Sequence, residues 1–287
     1  AIVDMETVSK KVLILGAAAL FIDFIRTAKA MGHIVYVSDM NMDAPGMMEA
    51  DVRVPIDFSD AEKIGDYAEQ KGIDVILPLN EIGVRTAGAV NDRLNLSGLS
   101  GKVAQITCSK YEMRRIWAEN GLSTIAYEQV NTYGELTAAA RKIDSYPLII
   151  KPVTSLGGSR GVRIIRSPDE LKSAWAFSSS YPSDGYLVEE CVQGWEHSLE
   201  VLLYNGKAAT LAVSDKIKTP EPYRVDDTII YPSGESEKNL RIIEEAAAQS
   251  ALSLGIENGI AHVELSMTDN GPVLFELGAR CGGYAPE

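Results

Sequence analysis

The chain has 287 residues, of which 46% are hydrophobic, and its formal net charge at pH 7 is -13. This length supports two or three domains with separate cores, and the composition is ordinary for a soluble protein. The acidic balance excludes broad binding to nucleic acid or to an anionic membrane, because such surfaces are bound by a basic stripe. Any phosphate ligand must therefore meet a local basic site.

Cysteine and histidine are scarce, with three of each. The cysteines lack the spacing of a zinc site, and their odd number argues against a disulfide framework. The apolar run from Val12 to Ile22 has some features of a signal peptide, but Asp4 and Glu6 interrupt the basic start of such peptides. No apolar stretch reaches the length of a membrane helix. We expect a cytoplasmic protein.

Strands and helices alternate through the first part of the chain. The predicted strands are Val12–Leu15, Ile34–Ser38, Val52–Ile56 and Ile73–Leu79. A helix with apolar residues at helical spacing follows the first strand, a loop contains Pro45 and Gly46, and a second helix spans Asp60–Lys71. This alternation predicts a parallel, doubly wound sheet.

Two residues of this region belong to a dinucleotide-binding fingerprint. Gly16 lies in the turn after the first strand, and Asp39 follows the second strand. The other glycines of the G-x-G-x-x-G pattern are replaced by Ala18 and Phe21, so NAD binding has weak support. We interpret Gly16 as a residue of a tight turn.

Asn80 and Glu81 directly follow the strand that ends at Leu79. Open α/β sheets bind ligands at the carboxyl ends of their strands, so a substrate contact is one interpretation. For Glu81 we favour the other interpretation, a solvated carboxylate in a loop.

A capping box opens the next predicted helix. Ser109 is the predicted N-cap, with Glu112 three residues later, and the helix runs to about Asn120. Lys110 lies in the first turn, where a positive charge is unfavourable for the helix dipole. This placement favours a functional role for Lys110.

A glycine-rich hairpin lies at the centre of the chain, after a predicted helix at Tyr133–Ile143. Two short apolar runs flank the loop, and Lys151 closes the first of them. The loop residues of interest are Ser155, Gly157, Gly158 and Ser159. Glycines let backbone N–H groups approach an anion, and the hydroxyls and the lysine add donors. The loop thus suits phosphate, the alternative being a hairpin loop without a ligand.

Beyond the hairpin, a long alternating strand is predicted from Glu196 to Tyr204, with Glu196 and Glu200 on one face. We expect an irregular segment at Ser214–Pro232, which carries Lys216 and Lys218. Long ordered loops of this kind are often substrate loops or lids.

The C-terminal hairpin places two carboxylates together. We expect a three-residue turn, Asp269-Asn270-Gly271, that pairs Thr268 with Pro272. Counting outward, Glu264 then lies directly across from Glu276. Like charges at this spacing are destabilising, so a cation should lie between them, and Mg²⁺ is usually held by one or two carboxylates plus substrate phosphates. The alternative is a slipped register that separates the two glutamates.

Taken in order, these motifs resemble those of the ATP-grasp superfamily, and the resemblance covers nearly the whole chain. It is strongest for the branch that contains proteins like carbamoyl phosphate synthetase, biotin carboxylase and the L-amino-acid ligases. The resemblance implies a Rossmann-like domain at 1–106 and an ATP-grasp domain of two α+β subdomains at 107–287, the small one at about 120–190. Members usually continue further, so we expect a truncated C-terminal part.

The resemblance implies phosphate-binding roles for three lysines. The run IIKPVTSLGGSRGV is similar to the family's phosphate loop, which makes Lys151 a phosphate-binding lysine. Lys110, in SKYEMR, matches an earlier one, and Lys216, in SDKIKTPEPY, matches a further phosphate or substrate lysine.

The run LVEECVQGWEHSLEV resembles the adenine hinge. By this likeness Glu189, Glu190 and Val192 meet the adenine edge, and Glu196 takes the ribose hydroxyls. Each of these assignments is carried by the likeness alone.

Glu264 and Glu276 match the family's magnesium carboxylates, and Arg280 matches the arginine that contacts the reacting carboxylate or acyl phosphate. One position departs from the pattern. Gly278 replaces an asparagine that is a further metal ligand in many members. Water or another residue would complete the metal shell here.

The activity that the resemblance implies is a carboxylate–amine ligation. A substrate carboxylate attacks the γ-phosphate of ATP, and an amine captures the acyl phosphate with release of ADP and phosphate. The implied cofactors are ATP and Mg²⁺, or Mn²⁺ in its place. The implied partners are small carboxylate and amine substrates of amino-acid type, and a homodimer is compatible with the family.

Other functions stay open. A carboxyphosphate-forming enzyme, similar to biotin carboxylase or carbamoyl phosphate synthetase, would respond to bicarbonate. A non-catalytic nucleotide-binding module would bind ATP without turnover. A hydride-transferring dehydrogenase would bind a nicotinamide.

Overall fold

The computed structural model describes residues 8–122, 125–154, 160–220 and 226–283. The chain divides into two compact units. The first comprises Ala1–Gln105, Glu257–Gly259 and Ala279–Ala285, and the second comprises Ile106–Ile256, Ile260–Gly278 and Pro286–Glu287. In the part of the chain so described, every helix is too short or too polar to cross a membrane.

The first unit is built around a parallel sheet. In chain order its elements are β1 (Lys11–Leu15), α1 (Ile22–Ala30), β2 (Ile34–Ser38), α2 (Pro45–Glu49), β3 (Val52–Val54), α3 (Ala61–Lys71), β4 (Val75–Pro78), α4 (Glu81–Leu94) and α5 (Gly101–Thr107). The four strands are arranged in the order β3-β2-β1-β4, and all neighbouring pairs are parallel. The predicted parallel, doubly wound sheet is confirmed.

Strand β1 is buried on both faces of this sheet. Val12 and Ile14 pack in one apolar cluster, together with Ile25 of α1. Leu13 and Leu15 pack in a second cluster, together with residues of α3 and α4. A strand between two helical layers needs apolar side chains at every position, which explains the unbroken apolar run in the sequence.

The turn after β1 fits the predicted role of Gly16. Its φ is +106°, and a Cβ there would lie 2.7 Å from Asn80 Nδ2. The Asp39 carboxylate accepts hydrogen bonds from the backbone N–H groups of Ala17, at 3.1 Å, and Asn41, at 2.9 Å. Asp39 therefore holds the loops at the end of the sheet.

Two expectations for this unit are wrong. The predicted loop at Pro45 and Gly46 is the helix α2, because proline is well suited to the first helical position. Glu81 is the first residue of α4 rather than a loop residue, and Asn80 caps this helix by accepting a hydrogen bond from Gly83 N at 2.8 Å. Helix α4 was not predicted because Asn80 was not recognised as its N-cap.

The second unit contains two antiparallel sheets. Its elements are α6 (Lys110–Glu119), β5 (Tyr127–Val130), α7 (Tyr133–Ile143), β6 (Leu148–Pro152), β7 (Arg163–Ile165), α8 (Leu171–Ser178), β8 (Tyr186–Glu190), β9 (Trp195–Tyr204), β10 (Lys207–Lys218), β11 (Asp226–Ile230), α9 (Glu237–Ser253), β12 (Gly259–Thr268) and β13 (Gly271–Gly278). The sheet orders are β5-β8-β6-β7 and β11-β10-β9-β12-β13. The predicted combination of α/β and α+β architecture is confirmed.

The smaller of these sheets contains the predicted glycine hairpin. Strands β6 and β7 pair antiparallel, with Leu148 opposite Ile165. Helices α7 and α8 contribute Leu136 and Leu171 to the apolar core on this sheet. The loop residues 155–159, on which the phosphate-loop prediction rests, lie outside the described residues.

The five-stranded sheet has one apolar face and one charged face. Helix α9 packs on β9, β10 and β13, and its Ile243 and Ala247 are fully buried. Leu199 and Val201 of β9 are fully buried as well. We use the name charged face for the side chains of Glu196, Glu200, Lys216, Lys218, Asp226, His262, Glu264 and Glu276.

The irregular segment expected at Ser214–Pro232 is wrong for the residues that the structure describes there. Strand β10 continues to Lys218, and Asp226–Ile230 form β11, which pairs antiparallel with it. These strands were not predicted, because the prolines and charged residues of this stretch indicated a loop. Polar residues are nevertheless common in a hairpin at the edge of a sheet, where one face is open to ligand or water.

Candidate functional site

The two carboxylates of the C-terminal hairpin lie opposite each other, as predicted, although the turn differs. Thr268 pairs with Gly271 across a two-residue turn, and a bulge in β13 near Phe275 then shifts the register by one residue. Beyond the bulge Glu264 pairs with Glu276. The turn prediction is wrong by one residue, and the bulge compensates for the error.

A lysine binds each of these carboxylates. Lys216 Nζ lies 2.5 Å from Glu264 Oε1, and Lys110 Nζ contacts Glu276 Oε1. Both lysines are buried, whereas the solvent-exposed fraction of each glutamate side chain is 27%. Each carboxylate therefore has an ammonium group of the chain as a partner.

The carboxylate of Glu264 is held in its ionised form. Burial alone would raise its pKa, but the Lys216 ammonium and the hydrogen-bonded His262 outweigh burial and hold the pKa well below 4.5. The same balance acts on His262. Burial would lower the pKa of its imidazole, but Glu200 and Glu264 raise this pKa to about 9. His262 Nδ1 lies 2.6 Å from Glu200 Oε1.

Opposite charges alternate further along the charged face. Asp226 Oδ2 lies 3.0 Å from Lys216 Nζ, and Asp226 Oδ1 lies 2.6 Å from Lys218 Nζ. Lys218 Nζ also lies 3.1 Å from Glu196 Oε2. The predicted ribose residue, Glu196, and the predicted phosphate lysine, Lys216, are therefore linked through two residues that the sequence analysis did not assign.

Asp226 is the functional candidate that sequence reasoning missed. A bulge in β11 places Asp226, rather than Asp227, opposite Lys218, since the register shifts between Ile217 and Lys218. Bulges commonly re-aim a side chain next to a site. The pair Asp226-Asp227 after a basic stretch was the available signal, but two adjacent acids do not reveal which one faces the lysines.

Arg114, Lys151 and Glu189 form a second ionic cluster, which we call the buried trio. Arg114 Nε lies 2.9 Å from Glu189 Oε2, and Lys151 Nζ contacts Glu189 Oε1. The solvent-exposed fraction of the side chain is only 1% for Arg114, 8% for Lys151 and 2% for Glu189. Burial would raise the pKa of Glu189, but the two cations lower it, whereas burial lowers the pKa of Lys151.

The remaining predicted nucleotide residues lie near this trio in sequence. Glu190 ends β8, and its Oε2 accepts a hydrogen bond from Ala126 N at 2.7 Å. Val192 follows this strand and is half-buried. Ser155, Gly157, Gly158 and Ser159 lie outside the described residues.

Arg280, the predicted substrate arginine, belongs to the first unit. Its Nη2 lies 2.8 Å from Glu81 Oε1, and its Nη1 donates to the Cys281 carbonyl at 2.8 Å. The two side chains keep 19% and 16% of their exposed surface. The interpretation of Glu81 as a solvated carboxylate is therefore wrong, because the side chain is largely enclosed and bound to Arg280.

The carboxylate pair fits a hard divalent cation. Within residues 8–122, 125–154, 160–220 and 226–283, no group of three or more His, Cys, Asp or Glu side chains is arranged to hold a metal ion. Two opposed carboxylates suit Mg²⁺ that takes its other oxygens from phosphates and water. Gly278 pairs with His262, so the position of the missing asparagine lies opposite an imidazole bound to Glu200.

Comparison with known proteins identifies the domain that contains this site. The ATP-grasp domain family matches residues 144–286. The alanine–anticapsin ligase of Bacillus subtilis strain 168 is 30% identical over 247 residues, which cover 78% of this chain and 52% of the ligase. The formate-dependent phosphoribosylglycinamide formyltransferase of the same strain is 33% identical over 203 residues, which cover 68% of this chain and 51% of that enzyme.

A solved structure agrees with these relatives. The L-amino acid ligase from Bacillus licheniformis superposes with a TM-score of 0.80 and 26% identity, over 96% of this chain and 68% of that chain. The chain spans about half the length of the curated relatives it matches. Its fold, its matched domain and its relatives agree, and the chain belongs to the ATP-grasp superfamily.

Proposed function

We propose that this protein is an ATP-dependent carboxylate–amine ligase that joins amino-acid-like substrates through an acyl phosphate and releases ADP and phosphate. The observation that carries the proposal is the opposed pair Glu264 and Glu276, each bound by a buried lysine. Ligation of amino acids is what two similar proteins are named for, the alanine–anticapsin ligase and the L-amino acid ligase.

The proposal assigns the residues as follows. Glu264 and Glu276 would hold Mg²⁺, with Mn²⁺ as a substitute. Lys110 and Lys151, with the loop Ser155, Gly157, Gly158 and Ser159, would bind the phosphates of ATP, and Lys216 would contact a phosphate or the substrate as a catalytic residue. Glu189, Glu190 and Val192 would meet the adenine edge, largely through backbone groups. Glu196 would contact the ribose, and Arg280 the reacting carboxylate or acyl phosphate. Residues 1–106 would form the domain that precedes the ATP-grasp domain.

The chemistry needs charge neutralisation and in-line positioning rather than a nucleophile on the protein. When bound, Mg²⁺ would neutralise phosphate charge. Lys110 and Lys216 supply positive charge beside the carboxylates, and an arriving triphosphate would exchange its oxygens for those of Glu276 and Glu264 on the lysines. Glu264 and Glu276, once freed from the lysines, would be the carboxylates that hold Mg²⁺. In this account the lysine–glutamate pairs hold the site in place before ATP binds.

The test measures phosphate release from ATP and Mg²⁺ across a panel of single amino acids, amino-acid pairs and bicarbonate. Stimulation by a particular amino-acid pair, with a condensed product of matching mass, is the expected result. Stimulation by bicarbonate alone would replace the proposal with a carboxyphosphate-forming enzyme. ATP binding with no stimulation by any member of the panel would replace it with a non-catalytic nucleotide-binding module.

Two further predictions concern the location and the oligomeric state of the protein. We propose a cytoplasmic location, which fractionation of cells would test. We also propose a homodimer, which light scattering of the purified protein would test.

A further inference from the structure

We propose that Lys218 is a positioning residue that orients the Glu196 carboxylate and thereby makes the site select ATP over 2′-deoxy-ATP. This inference rests on the proposed function, which assigns Glu196 to the ribose hydroxyls. The resemblance that assigned Lys216 gave no role to Lys218, which lies two residues further along β10 and on the same face.

Lys218 is fixed between two carboxylates. Its Nζ lies 3.1 Å from Glu196 Oε2 on β9 and 2.6 Å from Asp226 Oδ1 on β11. The solvent-exposed fraction of the side chain is 18% for Lys218, 14% for Glu196 and 26% for Asp226. A lysine side chain is flexible and has three donors, so two anchors from neighbouring strands define where its ammonium lies.

Asp226 is the second carboxylate that binds Lys218, in addition to Glu196. The bulge in β11 brings Asp226 opposite Lys218, and the other oxygen of Asp226 binds Lys216. The two lysines are therefore held side by side by one carboxylate. Lys216 turns to Glu264, whereas Lys218 turns to Glu196, so the two lysines serve different carboxylates.

The contact between Lys218 and Glu196 has a consequence for sugar selection. The Lys218 ammonium, 3.1 Å from Oε2, restrains the Glu196 carboxylate and offsets its charge next to an anionic nucleotide. A fixed carboxylate can accept hydrogen bonds from both vicinal hydroxyls of a ribose, and a 2′-deoxyribose lacks one of these donors. A hydrogen bond to a charged group is worth about 1.5–3 kcal/mol, which corresponds to about tenfold or more in affinity.

The experiment compares kcat/KM for ATP and for 2′-deoxy-ATP in the protein and in three variants. We expect the unchanged protein to prefer ATP by about tenfold or more. Lys218→Met should reduce this preference about tenfold by raising the KM for ATP, with kcat within about threefold. Lys218→Arg should keep the preference, because a guanidinium can still bridge the two carboxylates. Lys207→Met is the matched control, since Lys207 is exposed at the other end of β10.

A double variant sharpens the assignment. If Lys218 acts through Glu196, then adding Lys218→Met to Glu196→Gln should change the ATP preference little beyond Glu196→Gln alone. A merely structural lysine would instead lower kcat for both nucleotides equally and leave their ratio unchanged.

The inference is overturned if Lys218→Met keeps the ratio of the unchanged protein, or if the unchanged protein shows no preference for ATP. Failure of the proposed function has a different signature, namely no phosphate release with any nucleotide. In that case calorimetric titration with each nucleotide gives the ratio of dissociation constants, and the same expectations apply to that ratio.

Discussion

The second unit holds two ionic clusters that differ in how much water reaches them. The buried trio of Arg114, Lys151 and Glu189 keeps at most 8% of any side-chain surface exposed. On the charged face the glutamates Glu264 and Glu276 each keep 27%. Both clusters bind a carboxylate between cations, but only the charged face leaves its carboxylates accessible to a ligand. Because the trio is closed to water and the charged face is partly open, we expect loss of a carboxylate to cost more stability in the trio than on the charged face.

The cost of ion pairing explains the difference. Removing two charges from water is expensive, and a buried pair regains this free energy only if both partners remain. The trio balances Glu189 with two cations, so loss of Glu189 leaves two buried cations without their carboxylate. On the charged face water reaches Glu264 and Glu276, so it can screen either glutamate if the lysine partner is removed.

The largest effect on stability is expected for Glu189→Gln. This change leaves the Arg114 guanidinium and the Lys151 ammonium buried without their carboxylate, which should cost about 3–5 kcal/mol of unfolding free energy. Urea denaturation followed by circular dichroism measures this value. Glu237→Gln is the control, because the Glu237 side chain is 92% exposed and should change stability by less than about 0.5 kcal/mol.

An unfolding free energy for Glu189→Gln within about 1 kcal/mol of the unchanged protein would contradict this account of the trio. It would mean that water reaches the three charges as it reaches the charged face.

The next effect concerns activity. Glu276→Gln removes one of the two carboxylates that we assign to Mg²⁺, so Mg²⁺-dependent phosphate release should fall about 100-fold or more. The fold should remain, since Lys110 keeps an amide oxygen as a partner. Activity and circular dichroism are measured on the same preparation. Glu237→Gln is the control variant, for which both should equal those of the unsubstituted protein. Undiminished turnover in Glu276→Gln would remove the metal assignment.

A pH dependence is expected for the charged face. Glu200 and Glu264 raise the pKa of His262 from 6.5 to about 9 against the effect of burial, so its folded-state pKa exceeds the unfolded one. The stabilising contribution is therefore fully present below pH 6.5 and is lost as the pH rises through about 9. We expect it to be about 2 kcal/mol, given the partial exposure of the side chain.

Unfolding free energies at pH 6 and pH 10, measured with a chelator present, test this dependence. The unchanged protein should lose more stability between these pH values than His262→Asn, which cannot be protonated. Equal losses in both proteins would show that His262 does not gain protons on folding.

The smallest effect sharpens the contrast with the trio. Lys218→Met removes a cation that is 18% exposed and borders water, so its unfolding free energy should change by less than about 1 kcal/mol. The same urea titration compares it with Glu189→Gln. A loss as large as that of Glu189→Gln would place Lys218 among the residues that stabilise the fold, and the distinction between the two clusters would fail.

The sequence was informative wherever local chemistry decides the structure. Ser109 caps α6 by accepting a hydrogen bond from Glu112 N at 3.3 Å, as the capping box predicts. Strand β2 and helix α7 have the predicted bounds, Ile34–Ser38 and Tyr133–Ile143. In each case periodicity and a cap act within a few residues, which a single sequence displays directly.

Positions that depend on bulges could not be read in this way. The pairing of Glu264 with Glu276 was predicted from a three-residue turn, but it arises from a two-residue turn and a bulge. Asp226 was missed because a bulge selects it over Asp227. A bulge shifts every later pair by one residue, and it is decided by packing of the whole sheet rather than by the local sequence.

Ion pairs between distant residues were also beyond the sequence. Glu81 and Arg280 are separated by almost two hundred positions, and their contact depends on the fold of the first unit. The pairing of Lys110 with Glu276 has the same character. The sequence did indicate that Lys110 is unusual, because its place in a helix first turn is unfavourable.

The most direct test of the proposed acyl phosphate uses an amino-acid substrate labelled with ¹⁸O in its carboxylate. Turnover with ATP and Mg²⁺ is followed by mass analysis of the released phosphate. The account predicts one ¹⁸O atom in the phosphate for each amide bond formed, because the carboxylate oxygen that attacks the γ-phosphate leaves with it. Phosphate without ¹⁸O, or label in AMP, would contradict the account.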